Sequence, residues 1–149
     1  MNTIIFAFAG KGGVGKTSLS AAFIRILSEA YPEKRILAVD ADPAVGLSTA
    51  LNIEPTLTLD DIRLKIAESI ENGNTSDAIE LSEARFHLQD CITESGNISF
   101  LAIGRPEAAG CYCKVNAYLK QVIETISENF DYVVIDGEAG IEQINRRVM

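Results

Sequence analysis

The chain has 149 residues, 47% hydrophobic and 23% charged, which suits one globular domain able to bury a sizeable core. Its net charge of −8 and sequence pI near 4.6 argue against a nonspecific nucleic-acid binder, which needs a basic surface. No apolar run approaches the roughly 18 to 20 residues of a membrane span. Nothing at the start resembles a secretion signal, so no membrane partner and a cytoplasmic location are expected.

In chain order, residues 3–9 (TIIFAFA) form a continuous apolar, β-branched run of the kind that fills a buried parallel strand. Next comes Gly10-Lys11-Gly12-Gly13-Val14-Gly15-Lys16-Thr17, followed by Ser18, which fits the phosphate-cradling pattern G-x-x-x-x-G-K-[ST]. Apolar residues then recur at 19, 22, 23, 26, 27 and 30, predicting one helical face. The glycines therefore lie between a strand and a helix start, where free N–H groups and the helix dipole favour an anion. Lys16 is placed to reach the β- and γ-phosphates and the Thr17 hydroxyl to ligate Mg²⁺. Lys11 reads from the residues alone either as a functional charge or as a solvated loop lysine.

Tyr31-Pro32 closes the helix, and residues 35–39 (RILAV) predict a second strand running into Asp40-Ala41-Asp42-Pro43. Strand, glycine loop, helix and strand make a βαβ unit with a parallel sheet. Ligands of such sheets sit beyond the carboxyl ends of the strands. Asp40 and Asp42 thus emerge beside the glycine loop, where a carboxylate can hold a Mg²⁺-bound water or orient an attacking water. A plain turn is the alternative at the same spacing.

A short helix is expected at 44–51 and a longer one at 58–72. Thr58-Leu59-Asp60-Asp61 forms a capping box with aspartate in the glutamate position. Leu59, Ile62, Ile66 and Ile70 supply its apolar face, with Gly73 beyond its end. Residues 78–92 read as an irregular helix in which His87 and Cys91 are structural. Residues 97–104 predict a third strand, 115–126 a helix, and 132–135 a fourth strand closed by Asp136. An aspartate ending such a strand is the Walker B arrangement, which puts a carboxylate near the Mg²⁺ shell.

Between the third strand and its helix lie Cys111 and Cys113. Two thiols at i and i+2 can chelate one soft metal, whereas a disulfide between them would be strained. Two ligands fall short of a structural zinc site, but two such loops meeting on a twofold axis would supply four thiolates. Half-buried cysteines opening a helix are the alternative.

With Lys11 directly after the first glycine, GKGGVGKT resembles the deviant Walker A loop. Its family includes the nitrogenase iron protein, the ParA and MinD ATPases, the arsenite-pump ATPases and the carbon monoxide dehydrogenase maturation ATPases. The resemblance implies a nucleotide-gated homodimer in which Lys11 reaches the partner's nucleotide. It also implies a water-activating role for Asp42, and a Gly140 whose N–H contacts the γ-phosphate.

GRPEAAGCYC followed later by DGEAGIEQINRR looks most like the carbon monoxide dehydrogenase maturation branch. That likeness implies nickel or zinc held by Cys111 and Cys113 across the dimer, and a client metalloenzyme. The nitrogenase iron protein branch places a second cysteine ligand after the Walker B segment, and residues 138–147 contain none.

The fold expected is α/β: a doubly wound, mostly parallel sheet with helices on both faces, forming one domain over 1–149. Compared with the family, the chain stops short of the C-terminal strands, leaving a sheet edge open. The function expected is a Mg²⁺-dependent ATPase that loads nickel. A ParA- or MinD-like positioning ATPase and a non-hydrolysing nucleotide-binding subunit are the alternatives.

Overall fold

A computed structural model describes residues 2–11, 13–42, 46–71, 87–104 and 124–137. Side chains at 66, 67 and 69–71 fall outside that description, as do Gly73, the 78–86 part of the irregular helix and most of the helix expected at 115–126.

Among the described residues, five strands form one sheet: β1 (Ile4–Phe8), β2 (Ile36–Asp40), β3 (Thr93–Ser95), β4 (Ile98–Ala102) and β5 (Tyr132–Asp136). Their order is β1-β5-β2-β4-β3, parallel throughout except for β3, which runs antiparallel to β4. The register is unbroken across the middle: Phe8, Asp136 and Asp40 stand side by side at the carboxyl end. Every residue of β2 is buried, as expected of a strand with a neighbour on each side and helices on both faces.

Helix α1 (Lys16–Ala30) and the short α2 (Gly46–Leu51) cover one face. There Ala21, Ile24, Leu27, Leu47 and Leu51 pack on Ile36, Ala38, Phe100, Ala102 and Val134. Helix α3 (Leu59–Glu71) and the helical turn at 87–91 cover the other face. Leu59, Ile62, Leu88 and Cys91 meet Leu37, Val39, Leu101, Val133 and Ile135 there. Helices on both faces of a mostly parallel sheet make this the doubly wound α/β fold that the alternation of elements predicts.

The capping box opens α3 as expected. The Thr58 N–H and hydroxyl both donate to Asp61 Oδ2 at 2.8 Å, and the Asp61 N–H returns to Thr58 Oγ1 at 3.3 Å. Asn97 follows Gly96 in the β3–β4 turn and closes the far end of α1. Its amide donates to the carbonyls of Tyr31 (3.1 Å) and Lys34 (2.9 Å), which lie beyond the last helical residue. That hairpin was not anticipated, because three residues (TES) carry too little apolar pattern to signal a strand.

Two expectations are corrected. The buried face of α1 is Ser20, Ala21, Ile24 and Leu27 rather than the stripe through 19, 22, 23, 26, 27 and 30; Leu19 and Ile26 are 59% and 63% exposed. Hydrophobic periodicity assigns no inward weight to Ser20, yet Ser20 lies over Asp136 on the buried face it shares with Ala21, Ile24 and Leu27. Of the expected stripe, Leu27 is buried and Phe23 is partly covered, its ring 4.8 Å from Phe6 and 5.5 Å from Phe8. Strand β1, expected to be buried, is the terminal strand among the described residues, with Ile4 and Ile5 50% and 53% exposed. An apolar run signals a strand without saying whether neighbours flank it on both sides.

Candidate nucleotide and magnesium site

The site is assembled at the carboxyl end of the parallel strands. Gly13 (φ +82) and Gly15 (φ +86) take left-handed conformations that turn the chain from β1 into α1. Gly15 is the N-cap of α1 and has no side-chain cap, and the first helical turn holds no acidic residue. The amino end of a fifteen-residue helix thus presents N–H groups and the positive end of its dipole with no carboxylate from its own first turn. Lys16 folds back over the loop, its Cδ 3.6 Å from where a Cβ on Gly10 would sit. Lys11, Val14 and Ser18 are exposed around the same turn.

Asp136 is buried below this turn and joins it to β5. The Thr17 hydroxyl donates to Asp136 Oδ2 at 2.7 Å. The Ser20 hydroxyl lies 2.8 Å from the Lys16 carbonyl and 3.2 Å from Asp136 Oδ1, and with one proton it donates to one of them at a time. The Gly137 N–H donates to the Phe8 carbonyl at 3.0 Å, continuing the β1–β5 pairing past the carboxylate. A hydroxyl and a carboxylate beside a phosphate-binding turn are hard oxygen donors of the kind that hold Mg²⁺ together with substrate phosphates. The residues present fit that ion.

Asp40 stands next to Asp136 in the sheet register and is 1% exposed. Its Oδ1 accepts the Asp42 N–H at 3.2 Å and its Oδ2 accepts the Leu47 N–H at 3.1 Å. Burial raises its pKa to about 6; the backbone N–H of Asp42 works against that rise, and the Asp136 charge adds to it. Gly46, the first residue of α2, faces Thr17: a Cβ there would come within 3.3 Å of the Thr17 methyl.

The structure therefore brings together Gly10, Gly13, Gly15, Lys16, Thr17, Asp40, Asp42 and Asp136 at one sheet edge. Gly12, Gly140, Cys111 and Cys113 lie outside the described residues. Cys91 is a core residue whose thiol donates to the Thr58 carbonyl at 3.3 Å, in keeping with a structural role. His87 pairs loosely with Asp90 at 3.8 Å, one turn along. Ser20 and Gly46 were missed. Ser20 is three residues beyond Thr17 on the same side of α1, the spacing that could have flagged it. Nothing local distinguishes Gly46. Among the described residues, no helix is long and apolar enough to cross a membrane.

A glycine loop between a parallel strand and a helix, with an aspartate closing the adjacent strand, defines a P-loop domain. A profile of the AAA domain family matches residues 2–149, and the chain belongs to that family, within the ParA/MinD P-loop superfamily. An uncharacterized ATP-binding protein of Methanocaldococcus jannaschii is 38% identical over 145 residues, 97% of this chain and 56% of that protein. The carbon monoxide dehydrogenase accessory protein CooC of Rhodospirillum rubrum is 30% identical, over 94% of this chain and 56% of its own length. The septum site-determining protein MinD of Bacillus subtilis is equally 30% identical, over 96% and 47%. A ParA family ATPase from Chlorobium tepidum TLS shares the fold at a TM-score of 0.63 and 21% identity, over 99% of this chain and 56% of that one. The chain thus spans about half the length of the relatives it matches.

Proposed function

We propose that this chain binds Mg²⁺ and ATP and, within a homodimer, hydrolyses ATP to drive the loading of nickel into a client metalloenzyme related to carbon monoxide dehydrogenase. The observation that carries the nucleotide half is the 2.7 Å Thr17–Asp136 hydrogen bond at the uncapped amino end of α1. Backbone N–H groups from Gly10 to Ser18, Gly12 included, grip the phosphates, and Lys16 neutralises their charge. Thr17 and Asp136 would hold Mg²⁺, which would supply charge neutralisation on the phosphate oxygens. Asp42 orients the attacking water, Gly140 contributes an N–H, and Lys11 contacts the partner's nucleotide.

The metal half is supported by the Cys111-Tyr112-Cys113 spacing and by the likeness to CooC. Nickel, or zinc in its place, is cargo shared by four thiolates from two protomers. The equal identity to MinD favours a second reading, an ATPase that uses nucleotide to occupy a surface and handles no metal.

Metal analysis of the purified protein with and without Mg·ATP separates the two. The metal reading expects nickel at about one ion per two chains, lost in the Cys111→Ser/Cys113→Ser variant, and Mg·ATP binding lost by more than about tenfold in Lys16→Ala. Nickel binding unchanged in the double serine variant would leave the positioning reading. Mg·ATP binding unchanged in Lys16→Ala would sink both.

A further inference from the structure

Asp40 is buried on the central strand, and both oxygens of its carboxylate accept backbone N–H groups, those of Asp42 and Leu47. Its own backbone is locked on both sides. The Ala41 N–H donates to the Asp136 carbonyl at 2.8 Å, and the Ile103 N–H donates to the Asp40 carbonyl at 2.9 Å. From that rigid base one oxygen takes the N–H of Asp42 and the other takes the N–H of Leu47, in the first turn of α2. One buried carboxylate therefore ties Asp42 to the start of α2. The start of α2 lies close against the site, because a Cβ on Gly46 would stand 3.3 Å from the Thr17 methyl.

We propose that Asp40 is a positioning residue that acts through Asp42 and is neither a ligand of the nucleotide nor of its metal. At 1% exposure, with each oxygen turned to a backbone N–H, it has little surface to offer a ligand. What it controls is where the Asp42 carboxylate stands relative to Thr17 and Asp136. The inference rests on the reading that Asp42 orients the water, and it replaces the expectation that Asp40 touches the cofactor.

The test compares Asp40→Ala, Asp40→Asn, Asp42→Ala and the Asp40→Ala/Asp42→Ala double variant in the full-length protein. Affinity for Mg·ATP is measured with a fluorescent ATP analogue and hydrolysis by single-turnover phosphate release. Asp40→Ala is expected to keep affinity within about threefold while hydrolysis falls at least about tenfold, the scale on which a misplaced reacting group acts. Asp40→Asn, which retains one acceptor oxygen, falls between it and the wild type. The double variant is no slower than Asp42→Ala. Hydrogen exchange at the Asp42 and Leu47 amides accelerates in both Asp40 variants.

Loss of affinity with hydrolysis of the bound nucleotide preserved would make Asp40 a ligand and overturn the proposal. So would additive losses in the double variant. Should Asp40→Ala fail to fold, Asp40→Asn carries the same comparison, and wild-type hydrolysis in a folded Asp40→Asn with accelerated amide exchange overturns the proposal. Wild-type hydrolysis in Asp42→Ala would instead remove the reading beneath it, an outcome visible without any Asp40 variant.

Discussion

Replacing Gly104 by alanine tests how tightly the start of α3 is clamped onto the end of β4. Gly104 is buried at φ +83, a left-handed conformation that costs an L-residue roughly 1–2 kcal/mol. A Cβ there would lie 2.6 Å from Thr58 Oγ1, 2.9 Å from Thr58 Cβ and 3.2 Å from Asp60 Cβ. Thr58 cannot turn aside cheaply, because its hydroxyl is committed to the capping box, a contact of a type worth about 1 kcal/mol. The helix cannot back away either, since the Asp60 N–H donates to the Ile103 carbonyl at 3.0 Å. Overpacking of this kind costs about 1–3 kcal/mol, so Gly104→Ala should lose about 2–5 kcal/mol in all. Urea unfolding at pH 7 should show a lower midpoint at unchanged slope. In a Thr58→Gly background, which removes the two nearest obstructing atoms and leaves only Asp60 Cβ, the same substitution should cost little more than the backbone share of roughly 1–2 kcal/mol. A loss below about 1 kcal/mol in the wild-type background would refute the clamp.

Two further outcomes are expected. Burial pushes the Cys91 thiol up to about 12, with the Asp61 and Asp90 charges adding to it, so iodoacetamide at pH near 8 should leave it unmodified in folded protein and alkylate it in urea. Peptide mapping reads the result, and labelling of folded protein at the unfolded rate would sink the assignment. Asp40 titrates in the opposite sense to a salt-bridged carboxylate. Its folded pKa of about 6 lies above the ordinary 3.8, so the folded state holds the proton more tightly and stability falls as pH rises between those values. Relative to Asp40→Asn, nucleotide-free wild type should lose about 2 kcal/mol between pH near 4 and pH near 7, levelling above pH 6. Denaturation of both proteins across that range, compared as a difference, cancels Asp131, whose lowered pKa acts the other way. A flat difference would refute the burial argument.

How much was legible can be traced residue by residue. The glycine loop, Lys16, Thr17 and the strand-ending Asp136 stand in the chain as types at fixed spacing, and the capping box at Thr58 and Asp61 was readable for the same reason. Glycine conformation and helix capping are decided within a few residues. The face of α1 was misread because its most buried polar residue, Ser20, is inward for the sake of a carboxylate 116 positions away. The exposure of β1 was misread because apolar content marks a strand and says nothing of its place in the sheet.

Alone, the sequence determined a phosphate-binding turn, its lysine and hydroxyl, and a run of parallel strands with helical crossovers, all set by short-range geometry. Only the tertiary structure decided that Thr17 meets Asp136 across 119 residues, that Asp40 faces inward onto Asp42 and Leu47, and that Gly46 abuts Thr17. Those contacts follow from strand order and register, which place β5 beside β2 and bring the two aspartates level. Strand order is fixed by which faces bury together when the whole sheet forms, a property of the assembled chain rather than of any stretch within it.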